Sequence, residues 1–526
     1  MYRILEQRLE RLVQLDPGCL PGGRRGVEKE SLRVSPDGRI ATTPHPSALG
    51  AAVAHPWITT DYSEALLEFV TPPLESCWAT LQFLCDVHQF IYPRLPDEEM
   101  LWATSMPCAV GGDASIPVAE YGSSNVGRMK HIYRLGLGYR YGRVMQTIAG
   151  VHFNYSMPER FWQSLREVEG WRGEERSFRD RMYFALLRNF RRFGWIVLYL
   201  FGASPAVCKS FLGGHDPGLP EFDRSTYFGP WATSLRMSDL GYRNTNQSSI
   251  HPSMNSLDEY IDELERAIRS PWPPYEKIGV APDGVWRQLS TSLLQIENEY
   301  YGFIRPKQPV HSGERPTLAL RRGGVAYVEV RALDVSPYDP AGVSQNELRF
   351  LEAFLLFCLL HESPWTDAGE LARLDDNHAR VAVAGRRPGL ELGISGVQKP
   401  VQEWGRELCR CLAPICRLLD GEDPARSYSA ALELQAAKLE EPALTPSARV
   451  LAEMKQEDES FFRFALRMSR QHRDYFAALP PMSEARLAEF ESAAAHSLET
   501  QRELEAASGE SFEAYLERYF APAASA

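Results

Sequence analysis

The stretch from Val144 to Ser156 alternates between apolar and polar side chains, and this period of two predicts a β-strand. Because successive side chains of a strand point to opposite faces, we expect one face of this strand to be polar. Taken alone, such a face is more often exposed to solvent than part of a pocket. The positions on this face are Gln146, Ile148, Gly150, His152, Asn154 and Ser156.

Three further predicted strands carry charged side chains in the same way. These positions are Glu28 and Glu30 on one face of the strand at residues 26–34, Glu329 and Arg331 on one face of the strand at residues 323–333, and Asp61 and Glu68, which flank a turn and a strand in residues 57–71. For any single acid, an exposed or ion-paired carboxylate is the simpler interpretation. Several acids on one face of a sheet are costly unless positive charge lies among them. Oxygen ligands with one imidazole, from His152, suit Mg²⁺ or Mn²⁺ better than zinc held by sulfur.

The rest of the pattern is mostly helical. Helical spacing occurs in residues 1–12, 74–92, 160–200 and 256–270, and in most of the chain after about residue 344. Thr445 followed by Pro446 is typical of a helix start, with threonine as the N-cap. Residues 97–130 are irregular, and a loop of that length is usually functional. Strands therefore concentrate in the first two-thirds of the chain and helices in the remainder, which predicts an α+β fold.

Composition and charge narrow the class of function. The chain has 526 residues and a formal net charge of -12, which argues against a general nucleic-acid or anionic-membrane surface. The sequence contains no apolar run of about eighteen residues, so no membrane span is predicted, and the charged N-terminal helix does not resemble a signal peptide.

Nine cysteines without the spacing of a disulfide scaffold fit a reducing cytoplasm, and Cys409, Cys411 and Cys416 are expected to be core thiols. We expect a cytoplasmic monomer that binds small molecules.

Divalent ions held by carboxylates of separate strands favour phosphoryl transfer, in which metal bridges the phosphates of a nucleotide. Arg134, Arg236 and Arg331 are candidates to bind a carboxylate or a phosphoryl group near such a site. The sequence contains neither a Gly-x4-Gly-Lys-Ser/Thr loop nor a Gly-x-Gly-x-x-Gly turn that opens a helix. A nucleotide is therefore expected to bind without a Walker-type phosphate loop.

Several long motifs occur in order along the chain. They are Gly26-Val-Glu-Lys-Glu-Ser-Leu-Arg-Val34, Trp57-Ile-Thr-Thr-Asp-Tyr-Ser-Glu-Ala-Leu-Leu-Glu-Phe69, Tyr121-Gly-Ser-Ser-Asn125, Met145-Gln-Thr-Ile-Ala-Gly-Val-His-Phe-Asn-Tyr-Ser156, Leu200-Phe-Gly-Ala-Ser-Pro-Ala206, Ala232-Thr-Ser-Leu-Arg-Met-Ser-Asp-Leu-Gly-Tyr242, Gln295-Ile-Glu-Asn-Glu-Tyr-Tyr301, Tyr327-Val-Glu-Val-Arg-Ala-Leu-Asp334 and Gly385-Arg-Arg-Pro-Gly-Leu-Glu-Leu-Gly393. Together they resemble the proteobacterial type of glutamate–cysteine ligase. The helical C-terminal quarter resembles that family only loosely.

The resemblance implies the first step of glutathione synthesis. ATP would phosphorylate the γ-carboxylate of L-glutamate, and the amine of L-cysteine would then attack the γ-glutamyl phosphate. The implied fold is similar to that of glutamine synthetase, with a curved, mainly antiparallel sheet that forms a funnel around divalent ions. It also implies a catalytic core over residues 1–400 and a helical C-terminal region over residues 401–526 packed on that core.

The resemblance also assigns roles to individual positions. The implied metal ligands are Glu28, Glu30, Asp61, Glu68, His152 and Glu329. The implied catalytic arginines are Arg331 and Arg236, and Arg305 and Lys307 are weaker candidates for the nucleotide phosphates. The implied substrate pocket contains Tyr133, Leu137, Gln146, Ile148, Asn154, Tyr242 and Tyr301. For a lone tyrosine, core packing is the simpler interpretation, and only the match to the motifs favours substrate binding.

Departures from the family pattern are mild. Lys29 stands between the two acids of its strand where another basic residue is usual, and Tyr300 precedes Tyr301 where an aliphatic residue is common. Two alternatives stay open from the sequence. One is a ligase of the same fold that uses another small amine, since a fold alone does not fix the acceptor. The other is a non-catalytic sensor of glutamate or nucleotide, which a lost metal ligand would indicate; no ligand is lost.

Overall fold

One antiparallel sheet gathers strands from distant parts of the chain in the computed structural model, which describes residues 2–241, 250, 252–311, 313–394, 396–507 and 509–521. The strands are β1 (Arg24–Val34), β2 (Ile58–Thr60), β3 (Leu66–Val70), β4 (Met100–Leu101), β5 (Gly150–Ser156), β6 (Ala206–Cys208), β7 (Thr226–Phe228), β8 (Ile304–Lys307), β9 (Tyr327–Asp334), β10 (Glu391–Ile394) and β11 (Val397–Pro400). Seven of them form the main sheet in the order β2-β3-β1-β5-β9-β8, with β4 beside β1, and every pairing is antiparallel.

Helices surround this sheet and make up most of the C-terminal region. They are α1 (Arg3–Leu15), α2 (Cys77–Ile91), α3 (Asn125–Tyr141), α4 (Glu159–Val168), α5 (Glu175–Phe193), α6 (Trp195–Phe201), α7 (Leu257–Ala267), α8 (Pro273–Glu276), α9 (Pro316–Gly323), α10 (Gln345–Leu360), α11 (Ala368–Ala384), α12 (Val401–Asp420), α13 (Ser427–Glu440), α14 (Pro446–Gln456), α15 (Phe461–Ala478), α16 (Glu484–Ala506) and α17 (Phe512–Phe520). The mixture of a mostly antiparallel sheet with many helices confirms the predicted α+β class.

The two faces of the central strands differ in chemistry, as the period of two requires. Val27 of β1, Phe153 of β5 and Val330 of β9 lie on one face and are fully buried in the main hydrophobic core. Helices α2 and α10 pack on this side. The alternate residues, which include Glu28 and His152, lie on the opposite face. Burial of the apolar face therefore fixes which side of the sheet presents the acids.

A buried polar network joins the apolar face of the sheet to the C-terminal helices. Arg25 of β1 donates to Glu352 Oε1 of α10 at 3.0 Å, and the Tyr155 hydroxyl donates to the same oxygen at 3.0 Å. The Tyr428 hydroxyl of α13 donates to the other oxygen, Oε2, at 2.6 Å. Because these groups are excluded from water, they hold β1, β5, α10 and α13 in one arrangement.

The strand predicted from Val144 to Ser156 is wrong in its first half. Residues Val144–Thr147 form a 3-10 helix, and β5 begins only at Gly150. The Thr147 hydroxyl donates to the Val144 carbonyl at 2.7 Å, which closes this turn locally. Gln146 therefore does not lie in a row with His152 and the other polar residues of the strand. The alternation in this half reflects a tight turn with partly buried side chains rather than a pleated strand.

The cysteines include one pair that their spacing did not indicate. Cys108 and Cys208 form a disulfide bond across 100 residues of sequence, with their Cα atoms 5.4 Å apart. It joins the irregular segment 97–130 to the end of β6. Cys409 and Cys416 are buried thiols, as expected, whereas Cys411 is half-buried. The sequence did not predict this pair, because contact between distant segments is not visible in the spacing of the cysteines.

The C-terminal helices share the core of the sheet. Trp404 of α12, Leu439 of α13 and Phe464 of α15 belong to the same buried hydrophobic cluster as the strands. Thr445 caps α14 as predicted, and its side chain accepts a hydrogen bond from Ala448 N at 3.4 Å. The division of the chain at residue 400 remains a prediction. Among the described helices, none combines the length and the apolar character that crossing a membrane requires.

Candidate active site

Strand register brings the predicted acids together on the polar face. Glu28 of β1 pairs with His152 of β5, and Glu30 pairs with Glu68 of β3. Paired residues of neighbouring antiparallel strands point to the same side, so these four side chains converge. On the far side of β5, Asn154 pairs with Glu329 of β9. The face that alternation predicted as polar is therefore an acid cluster with one imidazole.

In the described part of the chain, the cluster contains two groups of three residues that could each hold a metal ion. Glu28, His152 and Glu329 place one ligand atom each within 4.8 Å of one another, and Glu30, Glu68 and His152 form a second such group. A register shift between β5 and β9 occurs at His152, next to both groups. Bulges of this kind often re-aim a side chain beside an active site. Five of the six predicted ligands thus lie where a cation can bridge them.

Asp61, the sixth predicted ligand, borders the cluster from the turn between β2 and β3. Its backbone carbonyl accepts hydrogen bonds from Arg134 Nε and, at 3.1 Å, from the Tyr121 hydroxyl. Its carboxylate is close enough to help raise the pKa of Glu30. Asp61 lies outside both three-residue groups, so its role as a direct metal ligand remains a prediction.

Glu28 and Glu329 are the two acids with compensating partners. Both oxygens of Glu28 are contacted: Asn154 Nδ2 donates to Oε1 at 2.8 Å, and His152 Nδ1 lies 3.1 Å from Oε2. Burial opposes ionisation of Glu28, but the contact with His152 leaves the pKa of this carboxyl below its ordinary value. Glu329 is also buried, yet Lys307 at 3.2 Å and Arg331 at 3.4 Å hold its pKa well below the ordinary value. Both acids are therefore carboxylates at neutral pH.

For Glu30 and Glu68, burial and neighbouring negative charges outweigh the nearby cations, so the pKa values of both carboxyls are raised. Burial, followed by the neighbouring Asp61 carboxylate, raises the pKa of Glu30 to about 8. Burial and the negative charges of Glu28 and Asp61 raise the pKa of Glu68 well above its ordinary value. Burial and Arg331 lower the pKa of His152, which leaves its imidazole neutral and able to act as a ligand. Carboxyls crowded in this way are complementary to a bound cation.

A buried carboxylate oxygen without a hydrogen-bond partner also indicates a cation site. Glu329 is 1% exposed, and its Oε2 atom has no hydrogen-bond partner among the described residues. Buried carboxylate oxygens are rarely left without a donor or a cation. Oxygen-rich ligands of this kind fit Mg²⁺ or Mn²⁺. The residues present therefore fit a divalent metal site.

Two arginines approach the cluster from the side of β9. Arg331 follows Glu329 on the same face, and its Nη1 atom lies 3.4 Å from His152 Nδ1. Arg236, which belongs to a 3-10 helix at Leu235–Met237, donates to the Arg331 carbonyl at 3.1 Å and lies 3.6 Å from Asp334. Tyr301 lies beneath Arg331, with the guanidinium 5.7 Å from the ring centre. These groups form a basic, partly aromatic wall beside the acids.

A glycine makes this arginine wall possible. A Cβ atom on Gly150 would lie 2.1 Å from Arg236 Nη2, which is far inside contact distance. The Gly150 amide also donates to Glu30 Oε2 at 2.6 Å. The absence of a side chain at Gly150 therefore lets the guanidinium of Arg236 and the carboxyl of Glu30 approach the same backbone segment.

A cavity of about 630 Å³ opens on the other side of the cluster. Glu68, Arg305 and Lys307 line it together with Tyr133 and Arg134 of α3. Arg305 pairs with Glu329 across β8 and β9, so the acid cluster and the basic wall of the cavity are neighbours in the sheet. A volume of this size suits a nucleotide, since small-molecule pockets span about 300–1,000 Å³.

The predicted substrate-pocket residues are not all in one place. Tyr133 lines the cavity, whereas Tyr301 lies beneath Arg331. Leu137 and Gln146 are half-buried, and Ile148 is fully buried in the core. Asn154 binds Glu28, and Tyr242 lies outside the described residues. Their contacts with a substrate remain predictions.

Sequence reasoning missed several residues of the cavity. Lys130 of α3 and Glu297 contribute to its wall, as does Tyr519 of the C-terminal α17. Helical spacing in the segment 128–134 places Lys130 on the same face as Tyr133 and Arg134, so this residue could have been found. Nothing in the local sequence of α17 indicates that it reaches the cavity.

Comparisons with known proteins identify the family. The family model of glutamate–cysteine ligase matches residues 10–381. A protein of Alcanivorax borkumensis named glutamate–cysteine ligase is 48% identical over 523 residues, which cover 98% of this chain and 99% of that protein. One from Azotobacter vinelandii with the same name is 50% identical over 497 residues, covering 94% of this chain and 93% of that protein.

Solved structures give the same result. The glutamate–cysteine ligase of Francisella tularensis, solved in complex with AMP, has a TM-score of 0.89 and 34% identity, covering 95% of this chain and 98% of that one. A bifunctional glutathione synthetase from Pasteurella multocida shares the fold, with a TM-score of 0.71 and 24% identity over 90% of this chain and 54% of that one. The family expected from the motifs is thus confirmed, and the chain belongs to the glutamate–cysteine ligase family.

Proposed function

We propose that this protein joins the γ-carboxyl of L-glutamate to the amine of L-cysteine with conversion of ATP to ADP and phosphate. The observation that carries the proposal is the position of the acid cluster. Glu68 belongs both to that cluster and to the wall of the cavity, so bound cations would lie between a nucleotide and the arginine wall. Family membership supports the choice of substrates.

The cavity is the proposed nucleotide site. Lys307 and Arg305 would bind phosphate oxygens at its sheet end, since both lie next to Glu329 and line the cavity. The complex of the Francisella tularensis relative with AMP supports a nucleotide as ligand. Burial and the nearby Arg331 lower the pKa of Arg305, but an arginine side chain keeps its charge at neutral pH.

The acid cluster is the proposed metal site. Glu28, His152 and Glu329 would hold one Mg²⁺ or Mn²⁺ ion, and Glu30 and Glu68 a second, with Asp61 nearby. The bound ions would offset negative charge on the triphosphate and on the phosphoryl group in transfer. His152 touches both groups and keeps a neutral imidazole, so it can ligate without losing a proton.

The arginine wall is the proposed site of acyl transfer. An oxygen of the glutamate γ-carboxylate attacks the γ-phosphorus of ATP, and ADP leaves with the electrons of the broken P–O bond. Arg331 would offset charge on the phosphoryl group, because its buried Nε atom has no hydrogen-bond partner among the described residues. The cysteine nitrogen then attacks the acyl carbon, phosphate leaves with the electrons of the C–O bond, and the amine releases a proton to solvent.

The positions of Arg236 and Tyr301 suit the amino-acid substrates. Arg236 is 1% exposed and held by the Arg331 carbonyl and Asp334, so its guanidinium is pre-oriented to bind a carboxylate or an acyl phosphate. Tyr301 is half-buried beside Arg331 and offers an aromatic surface to a small thiol side chain. Tyr133 and Tyr242 belong to the same proposal by their match to the family motifs.

ADP formation with ATP and glutamate, measured with and without cysteine, tests the proposal. We expect turnover that requires cysteine and exceeds turnover with other small amines. Glu28→Gln and Glu329→Gln should each reduce it by on the order of a hundred- to a thousandfold while the circular dichroism spectrum stays unchanged. Glu391→Gln, at an exposed position in β10, is the matched control. Preference for another amine would overturn the choice of acceptor, and full activity of Glu28→Gln would overturn the metal assignment.

Two remaining expectations belong to the same proposal. We infer a monomer that acts in the cytoplasm, as expected from the sequence. Light scattering during size-exclusion chromatography should give a mass near 59.4 kDa. A mass of twice that value would overturn the monomer.

A further inference from the structure

The wall of the proposed nucleotide cavity includes the C-terminal helix. Tyr515 and Tyr519 of α17 and Leu504 of α16 line the same cavity as Glu68 and Lys307 of the sheet. Every other residue given a role in the reaction lies before residue 400. The C-terminal region therefore does more than pack against the core, because it contributes side chains to the proposed nucleotide cavity.

Helix α17 is held against α3 by a small hydrophobic cluster separate from the main core. The cluster contains Met129, Ile132, Leu289, Ile296, Phe512, Tyr515 and Leu516, with Tyr133 and Tyr519 packed against it. The rings of Phe512 and Trp286 meet edge to face, with their centres 5.1 Å apart. The guanidinium carbon of Arg128 lies 4.4 Å from the centre of the Phe512 ring. Asn125 Nδ2 donates to the Glu510 carbonyl at 3.1 Å. Tyr519 thus projects from a docked helix rather than from a free tail.

The chemistry of the cavity changes between the sheet and α17. The sheet contributes the charged groups Glu68, Arg305 and Lys307. The part near α17 is apolar and aromatic, with Val126, Met129, Ile296, Leu504, Tyr515 and Tyr519. Helix α3 also contributes the cations Lys130 and Arg134, and these belong to the sheet end, because the charge of Glu68 acts on the pKa of Lys130 and Arg134 Nε donates to the Asp61 carbonyl. A nucleotide has a matching division, because its phosphates are charged and its base is a flat, weakly polar ring. If the phosphates bind beside the cations at the sheet, the base points toward α17.

Glu297 argues against phosphate binding at the α17 end, because its carboxylate would repel the negatively charged phosphates. Its carboxylate lies in the cavity wall and pairs with Arg315 at 2.8 Å, and the Thr317 hydroxyl donates to it at 2.6 Å. Arg315 is buried and does not line the cavity, so it does not offer an open cationic surface to phosphates. The Lys307 ammonium, which lines the cavity, lies at the other end, 3.2 Å from Glu329.

We propose that α17 forms the base-binding end of the nucleotide site and that Tyr519 contacts the base of bound ATP. This inference rests on the proposed function for the location of the nucleotide. Tyr519 is half-buried, so part of its ring remains accessible in the cavity. Contact between a base and an aromatic ring tolerates substitution by another aromatic residue but not by alanine.

Calorimetric titration with MgADP tests the assignment in the full-length chain without glutamate or cysteine. Tyr519→Ala should weaken MgADP binding by about tenfold, and Tyr519→Phe should remain within about twofold of the unchanged protein. Tyr475→Ala is the matched control, since Tyr475 is 45% exposed on α15 and does not line the cavity. Unchanged affinity in Tyr519→Ala, or an equal loss in Tyr475→Ala, would overturn the assignment.

Photolabelling provides a second measurement that needs no substitution. An 8-azido-ADP probe carries its reactive group on the base, so irradiation should label a peptide that contains α17. Labelling confined to other peptides would overturn the proposal. The result is separable from the proposed function: failure of cysteine-dependent turnover would remove the ligase reaction, whereas MgADP binding that depends on Tyr519 would still support the base-binding end.

Discussion

Asn154 Nδ2 donates a hydrogen bond of 2.8 Å to Glu28 Oε1, across the pair of strands that forms the centre of the acid face. The other oxygen of Glu28 faces His152. The amide thus fixes the rotation of a carboxylate that we assign to a metal ion. Groups that orient a metal ligand in this way are a recurrent feature of metal sites.

Asn154→Leu should weaken Mn²⁺ binding by about 10- to 100-fold, because Glu28 loses the donor that orients it. Electron paramagnetic resonance of free Mn²⁺ measures the affinity directly. Ser156→Ala, two residues further along β5, is the matched control. Equal Mn²⁺ affinity in Asn154→Leu and the unchanged protein would contradict this role of the amide.

Gly150→Ala should impair the reaction more than the fold. The added Cβ atom would lie 2.1 Å from Arg236 Nη2, so the guanidinium must move away from the site. We expect kcat/KM for glutamate to fall by roughly 100-fold, which is the scale of a misplaced catalytic group. Gly509→Ala, where a Cβ atom meets nothing within 4 Å, is the control. A variant with normal kcat/KM would show that the position of Arg236 does not matter.

Arg25→Met should destabilise the protein by about 3–5 kcal/mol, because it leaves the buried Glu352 carboxyl without its cation. The double variant Arg25→Met with Glu352→Leu should recover part of this free energy of unfolding, since no buried charge then remains unpaired. Urea unfolding measures both values. A double variant that is less stable than Arg25→Met alone would contradict this explanation.

His472 should make the protein sensitive to acid. Burial lowers its pKa to about 4, and its Nε2 atom donates to the Pro337 carbonyl at 2.9 Å. The unfolded chain, with an ordinary histidine pKa near 6.5, binds this proton first. The stability is therefore fully present above pH 6.5 and is lost as the pH falls toward 4.

The test compares the free energy of unfolding at pH 7 and pH 5. His472→Gln retains an amide donor for Pro337 but does not titrate, so the difference between the two pH values should shrink by about 2 kcal/mol. His215→Gln, at an exposed residue, should leave the difference unchanged. The same pH dependence in His472→Gln and the unchanged protein would contradict the assignment.

The sequence identified the acid face because alternation is a local property. Glu28, Glu30, Glu68 and Glu329 were found on strands from their spacing and neighbours, and the structure places them together. Which strand lies beside which is a long-range property, so the pairing of Glu28 with His152 required the structure. The same limit applies to Asn154, whose hydrogen bond to Glu28 depends on that register.

Two features were missed in the sequence, one for a local reason and one because it depends on distant parts of the chain. The strand predicted from Val144 failed because a 3-10 turn can also alternate polar and apolar side chains over four residues. The sequence did not reveal the disulfide between Cys108 and Cys208, because the two segments meet only in the folded chain. The approach of Tyr519 to the cavity was missed for the same reason, since 177 residues separate the end of β9 at Asp334 from the start of α17 at Phe512.

The central claim is that the acids on the sheet face hold divalent cations beside the nucleotide. Anomalous diffraction from crystals grown with Mn²⁺ and ADP tests it most directly. We predict one manganese peak within about 2.3 Å of ligand atoms of Glu28, His152 or Glu329, and a second beside Glu30 and Glu68. Manganese bound elsewhere, with these carboxyls free of metal in the presence of ADP, would contradict the account.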